Sequence, residues 1–339
     1  MFIQTSKCNT VEIRQKADTI NSMPSEGNIN VVAQLEHTPN GLVVRAPAKI
    51  NLCLLIGGKR PDGFHEIKTL MAKVNWFDEL LFQQSASDGI ELICAGNHWA
   101  PQDNTNLVYR AIELFAKETG IVPKIKVTLT KNIPAGSGLG SASSDAAAAL
   151  IGFNEFTKIK LQKNYGQDAH ATKHEHLAAM AAALGSDVPF FLGGPLALCS
   201  GRGEKILQID KKFVFSAILI LPNINTSTKR VYENYTHDSD LFDRLNNRLE
   251  RLLQEKKVDL ITKMCANMLE RSCFTLHPEI ASLKNSIENL GITPLCLSGS
   301  GSTLYHFMET PDRTAAHQRR ELIETEIGCG SVVVHSNSW

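Results

Sequence analysis

Long hydrophobic runs are missing from this 339-residue chain, and so is net charge. The longest apolar stretches, such as FSAILIL at 215–221, are of strand length and far short of the ~20 residues that a membrane-spanning helix needs. No membrane partner is expected. Lys+Arg and Asp+Glu both number 35, so no whole-chain field favours nucleic acid. The 8 cysteines form no C-x-x-C pair and no metal-ligand spacing with the 11 histidines, which suits reduced thiols in a cytoplasmic protein rather than a disulfide framework. Internal repeats and low-complexity tracts are absent too. Residues 1–40 lack an apolar core segment and carry Glu12, Asp18, Glu26 and Glu36, so they match neither a signal peptide nor an acid-poor transit peptide. They read as a disordered extension, with Met23 as a second candidate start. Only VVAQL (31–35) has strand character there, with HTPNG (37–41) as a turn into the next strand.

What is present is a succession of strand signals with helix signals between them. LVVRAPAKINLCLLI (42–56), HEIKTLMAKVNWFDELLFQQS and GIELICAG read as strands separated by Pro-Asp-Gly and Asp-Gly turns. After the cap-rich DNTN (103–106), Leu107, Val108, Ala111, Ile112, Leu114 and Phe115 recur at helical spacing until Gly120. KIKVTLTKNI alternates strictly, and EHLAAMAAALG (175–185) is a second helix. Beyond residue 200 come further strands and charged helices. Strands and helices grouped without strict β-α alternation argue for α+β architecture, and the length suits two domains of roughly 150 residues each.

One stretch carries chemistry. PAGSGLGSASSDAAAAL (134–150) follows the strict strand and leads into an Ala-rich run. Pro134 ends the strand, while Gly136, Gly138 and Gly140 permit backbone angles that side chains forbid. The helix is expected from about Ser143, with Ser143 or Ser144 as its cap and Asp145 in its first turn. A strand, a bare turn and a helix N-terminus concentrate unpaired N–H groups and positive dipole at one point, where a polyphosphate belongs. No Lys lies between 132 and 157, so this is not a Walker loop, and no βαβ unit with an acid about 20 residues on supports a dinucleotide fingerprint.

The stretch resembles the P-x-x-x-G-L-G-S-S ATP loop of the GHMP kinases, a family of small-molecule kinases. APAKINLCLLIGGKRPDGFHEI (46–67), LGSDVPFFLGG (184–194), SGRGEKI (200–206) and LSGSGSTLYHF (297–307) keep the family's order. Ser141-Ala142 departs from the Gly-Gly expected in the loop, and Phe64 stands where Tyr is common. The resemblance implies a two-domain GHMP kinase fold with the active site in the cleft between domains, residues 41–205 forming the N-terminal ATP-binding domain and 206–339 the C-terminal one. It implies ATP and Mg²⁺, a small-molecule alcohol as acceptor, and a monomer or weak homodimer.

Carried onto this sequence, the resemblance makes Asp187 the catalytic base and Lys49 its charged partner. Pro134, Ala135, Gly136, Ser137, Gly138, Leu139, Gly140, Ser141, Ala142, Ser143 and Ser144 become the ATP loop. Asn51 and His65 would recognise a cytidyl-diphosphate-linked sugar alcohol, with Phe64 and Tyr232 flanking the cytosine or else packing in the core. Ser144 and Asp145 would touch Mg²⁺ or phosphate, although ordinary capping explains them equally well, and no protein metal-ligand set is named. SGSGS (298–302) would close over the site, and NMLE (267–270) would pack between domains. KRPDGFHEI favours the cytidyl substrate over homoserine or a mevalonate-like acid. Retention of both Lys49 and Asp187 counts against a catalytically dead sensor.

Overall fold

Two very long strands organise the chain. In the computed structural model, which describes residues 34–165, 174–210, 213–308 and 313–339, a short β1 (Leu35–Thr38) precedes β2 (Gly41–Lys59) and β3 (His65–Gln84), of 19 and 20 residues. Strands of this length bend, and β2 does so at register shifts between Pro47 and Lys49, Asn51 and Cys53, and Ile56 and Lys59. Pro47 has no N–H to give the ladder, which accounts for the first break. β4 (Gly89–Gly96), β5 (Lys124–Lys131), β6 (Leu196–Gly201) and β7 (Lys205–Gln208) complete a seven-stranded sheet in the order β1-β2-β3-β5-β4. β3 pairs with β5 along residues 79–84 and with β6 along 67–72, and β6 in turn pairs with β7.

Helices α1 (Leu107–Thr119), α2 (Ser141–Tyr165) and α4 (Val188–Leu192) pack against this sheet, and α3 (His174–Leu184) packs on those helices. α1 starts at Asn106, whose side chain accepts from Val108 N–H, and stops at Gly120 in the left-handed region (φ 71°). Residues Ile125, Val127 and Leu129 of β5 are all buried, as their alternation requires.

A second sheet, in the antiparallel order β11-β8-β10-β9, comes from β8 (Ser216–Leu221), β9 (Cys296–Leu297), β10 (Leu304–Phe307) and β11 (Gly330–His335). Around it lie α5 (Thr228–Glu233), α6 (Ser239–Gln254), α7 (Val258–Thr262), α8 (Glu270–Leu276), α9 (Pro278–Asn289) and α10 (Arg313–Glu326). The strand β2 belongs to both cores. Its residues Leu42, Val44 and Ala46 pack with α1 and α2, whereas Ala48, Ile50, Leu52 and Cys53–Ile56 pack with β8, α7 and β10. Leu54 also exchanges backbone hydrogen bonds with Ala266 and Met268 (2.7 and 2.9 Å), stitching the two sheets' territories together.

Two expectations need correction. The extension expected over 1–40 is ordered at its end: Leu35–Thr38 pair with Gly41–Val44 across a turn at Pro39-Asn40, and Arg45 reaches Glu36 at 2.8 Å. Cross-strand pairing with an apolar neighbour offsets the backbone entropy there. Of VVAQL only Gln34 and Leu35 are described, and residues 1–33 lie outside the described residues. Second, Cys265 and Cys296 are joined as a disulfide with a Cα–Cα distance of 5.3 Å, a pairing that their sequence separation of 31 did not signal.

Lys73, in the middle of β3, is only 1% exposed. Its ammonium donates to the carbonyls of Gly193 (2.6 Å) and Phe191 (3.2 Å) at the end of α4, and the Trp339 and Phe190 rings lie 5.8 and 5.9 Å away. Among the described residues no carboxylate pairs with it. Burial pushes this ammonium down to about 7. An unfolded lysine titrates near ~10.4, so the unfolded chain holds a proton that the folded one has lost between those values. Stability should therefore rise with pH from about 7 to ~10.4, and that increment is lost as pH falls back from ~10.4 to about 7, below which both states hold the proton. In chemical denaturation, wild type should gain on Lys73→Met over this window; parallel pH profiles would contradict the assignment.

Candidate active site

The loop after β5 is held from behind by its carbonyls. Gly136, Gly138 and Gly140 all have positive φ (67°, 81° and 69°), which only glycine adopts without strain. Gly136 O accepts from Thr226 N–H and hydroxyl (3.3 and 3.2 Å), and Ser137 O accepts from Thr303 N–H (3.0 Å). Gly138 O accepts from Lys49 Nζ (2.9 Å) and Ser298 Oγ (3.0 Å), and Leu139 O from Lys49 N–H (2.9 Å). Among the described residues, none of the backbone N–H groups from Gly136 to Ser143 donates to a protein acceptor. Eight successive donors without a protein acceptor thus stand at the mouth of α2, an arrangement suited to an anion.

α2 begins at Ser141, two residues earlier than expected, so Ser141–Ser144 form its first turn. The reason lies in a buried cluster that the sequence reading missed. Lys131, the last residue of β5 and 2% exposed, pairs with Asp78 (2.5 Å) and Asp145 (2.7 Å) and donates to the Ser141 hydroxyl. Asp78 Oδ1 accepts from the N–H groups of Asn132 and Ile133 (2.6 and 2.8 Å), fixing the strand's exit. Burial disfavours the Lys131 charge, but Asp145 and Asp78 outweigh it and hold the ammonium above its ordinary value. Burial pushes the Asp145 carboxyl up, against the pull of Lys131; Asp145 Oδ1 has no hydrogen-bond partner, whereas Asp78 has its two amides. Lys131 lies immediately before the Lys-free stretch 132–157. The charge-free loop that follows it was the only available signal.

Lys49 and Asn51 occupy alternate positions of β2 between two register shifts, which places them on one face. Lys49 is 3% exposed; its Nζ donates to Asn51 Oδ1 (2.5 Å) and stands 3.8 Å from Asp187 Oδ2. Burial lowers its pKa, and Asp187 opposes that shift. Asn51 is oriented in turn by Nδ2 donating to Thr69 (2.8 Å). Asp187 sits at the N-cap of α4, yet its side chain makes no capping bond, so the carboxylate remains available to Lys49. Pro189 accounts for the helix start at that point.

Lys49, Asn51, Phe64, His65, Asp187 and Tyr232 line one cavity of ≈ 870 Å³, together with Gly136, Ser137, Gly138, Gly140, Ser141, Ala142 and Ser143. His65 Nδ1 is 3.1 Å from Gly57 O, and its ring lies 6.1 Å from Tyr232 and 5.5 Å, edge-on, from Tyr235. Burial raises the Tyr232 phenol. Leu139 contributes backbone only, since its side chain is fully buried, and Ser144 is buried with an unpartnered hydroxyl. Pro134, Ser137 and Ala142 are shared with a second cavity of ≈ 470 Å³, which Ala135 also lines and which the sequence did not signal. Its walls include Trp99, Pro101, Asn106, Leu107 and Ile224, making it largely apolar. The Ser298–Ser302 turn packs on the loop, with Asn267 Nδ2 donating to Leu297 O and Gly299 O (2.9 and 2.8 Å).

Comparison with known proteins identifies relatives of this chain. The family model for the GHMP kinases N terminal domain matches residues 106–194, and that for the GHMP kinases C terminal matches 244–323. The 4-diphosphocytidyl-2-C-methyl-D-erythritol kinase of Geobacillus sp. (strain WCH70) is 35% identical over 272 residues, 80% of this chain and 90% of that protein. A crystal structure of 4-(cytidine 5'-diphospho)-2C-methyl-D-erythritol kinase superposes with a TM-score of 0.64 at 28% identity, covering 88% of this chain and 100% of the other. Homoserine kinase from Cytophaga hutchinsonii shares the fold at a TM-score of 0.66 and 19% identity, covering 91% and 98%.

A Cβ at Gly138 would meet Ser298 O at 2.1 Å and Gly301 O at 2.9 Å, both backbone atoms that cannot yield cheaply. Gly138→Val should raise the KM for ATP about tenfold or more and lower the melting temperature by several degrees. An unchanged KM would mean that the loop is not the cradle.

Proposed function

The chain belongs to the GHMP kinase family, and from that premise we propose that it transfers the γ-phosphoryl group of ATP to the 2-hydroxyl of 4-diphosphocytidyl-2-C-methyl-D-erythritol, giving the 2-phosphate and ADP. One observation carries the reading: a single cavity joins the bare amides of the loop, the Lys49–Asp187 pair and an aromatic end made by Phe64, His65 and Tyr232. Homoserine or mevalonate would leave that aromatic end without a partner.

ATP lies across the loop, with its phosphates on the amides of Gly136–Ser143 and its base in the apolar second cavity behind Pro134 and Ala142. Phosphoryl transfer asks the protein mainly for position and charge neutralisation. The acceptor hydroxyl sits between Asp187 and Lys49. Asp187 takes its proton as the new O–P bond forms and the bond between the β,γ-bridging oxygen and γ-phosphorus breaks. Lys49 pairs with Asp187 and faces the acceptor oxygen. Asn51 and His65 hold the polar part of the substrate, and Phe64 and Tyr232 flank the cytosine.

Mg²⁺ fits the residues present. The unpartnered, buried Ser144 Oγ and Asp145 Oδ1 are oxygen donors of the kind it takes, and it needs only one or two protein ligands beside the phosphates. Bound there, it would neutralise phosphate charge. Among the described residues no helix is long and apolar enough to cross a membrane; a small-molecule reaction drawing on ATP suits a cytoplasmic enzyme acting as a monomer or weak homodimer.

A coupled ADP-release assay should show turnover with the cytidyl alcohol and none with homoserine or mevalonate. Equal turnover on the simple alcohols would overturn the substrate, and no turnover on any would favour a sensor. Asp187→Asn should abolish turnover while leaving ATP affinity within about threefold, because the amide keeps the shape but accepts no proton. Near-native kcat in that variant removes Asp187 from the role of base.

A further inference from the structure

The cavity's charges do not cancel. Lys49 faces Asp187 at 3.8 Å, and Lys229 lies 3.9 Å from Glu233, but Arg202 and Lys59, which line the same cavity, have no carboxylate partner among the described residues. Arg202 is the more tightly placed of the two. It occupies the turn between β6 and β7, where Gly201 and Gly203 both have positive φ (74° and 121°). That turn is fixed through its backbone: Gly201 N–H donates to Glu66 Oε1 (3.0 Å), Arg202 N–H to Glu204 Oε2 (2.6 Å) and Gly203 N–H to Ser200 O (3.1 Å). Glu66 is further engaged by Arg60 at 2.9 Å. The nearby carboxylates thus hold amides and another arginine, and the Arg202 guanidinium is left to lie 5.0 Å from the centre of the Phe64 ring.

An arginine held over an aromatic ring loses little further freedom when it binds, and it keeps N–H donors for a planar or bidentate acceptor. Phe64 itself is 51% exposed, so the Arg202–Phe64 pair forms one wall of the open end of the cavity. On the reading above, what must pass this wall is a nucleoside diphosphate ester, with one negative charge on each phosphate. On the same reading the loop amides and the α2 N-terminus take the phosphates of ATP. The two unpaired cations match the two remaining charges.

We propose that Arg202, laid on Phe64 and seconded by Lys59, recognises the diphosphate of the acceptor substrate and so sets the preference for a nucleotide-linked alcohol. The proposal rests on the substrate reading and extends it to a residue outside the Lys49–Asp187 centre. Fork geometry matters as well as charge, so Arg202→Lys should restore only part of what Arg202→Ala removes.

The test is calorimetric binding of cytidine and CDP to the full chain saturated with a non-hydrolysable ATP analogue. Wild type should bind CDP about tenfold or more tighter than cytidine. Arg202→Ala should bring CDP down to the level of cytidine, leave cytidine within about threefold and leave the ATP analogue unchanged, with KM for the alcohol raised and kcat kept within about threefold. Arg202→Lys should fall between. Equal losses for cytidine and CDP would reduce Arg202 to a prop for Phe64 and overturn the proposal, as would no loss at all. Failure of wild type to bind either compound would instead remove the substrate reading, and this proposal with it.

Discussion

The carbonyl oxygens of Gly136, Ser137, Gly138 and Leu139 are each taken by a group behind the loop, and the peptide planes are thereby forced to turn their N–H groups the other way. Few donors do this holding, and they come from distant parts of the chain: Thr226 and Thr303 around the second sheet, Ser298 in the second glycine-rich turn, and Lys49 on β2. Each glycine is needed because the required backbone angle is left-handed and because the space for a Cβ is already filled, by Asn225 at Gly136, Ser298 at Gly138 and Lys49 with Phe191 at Gly140. The loop is therefore rigid in spite of its composition. Its rigidity depends on both sheets being in place.

Lys49 is where that constraint meets the chemistry. One buried ammonium holds the loop through Gly138, orients Asn51, and faces Asp187, so the loop and the Asp187 side of the cavity cannot be positioned independently. Burying a charge is unfavourable unless it is hydrogen-bonded and paired. Here two oxygen acceptors and one carboxylate meet that need, at the cost of a lowered pKa. Lys131 repeats the arrangement at the base of the loop with the carboxylates of Asp78 and Asp145. Two buried lysines thus brace the loop, one at its tip and one at its root.

Much of this was legible in the sequence because it is local. The strict alternation of 124–131, the Asn106 and Gly120 caps of α1 and the glycine spacing of 134–140 each act within a few residues, and each reappears where the pattern put it. Tyr232, for which core packing was the alternative, lines the cavity with His65. What was not legible depends on partners far away in the chain. Nothing near Lys131 announces that Asp78, 53 residues earlier, will neutralise it. The early start of α2 follows from that same cluster, since Ser141 is drawn into it. The order in Leu35–Thr38 required knowing that the first strand of the long pair had an open edge. Arg202 passed as part of a supporting stretch because its lack of a carboxylate is a fact of three dimensions.

Phosphoryl transfer to the 2-hydroxyl is the centre of this account, and the product's own spectrum tests it. That carbon bears a methyl group and no hydrogen, so a phosphate ester formed there has no hydrogen on its carbinol carbon. Phosphorus NMR of the reaction of wild-type protein with ATP and the cytidyl alcohol should show ADP together with a new monoester resonance, unsplit by any hydrogen on the esterified carbon. A monoester split by such a hydrogen would place the phosphate on another hydroxyl, and a spectrum with ADP and inorganic phosphate alone would mean that the bound alcohol is not the acceptor.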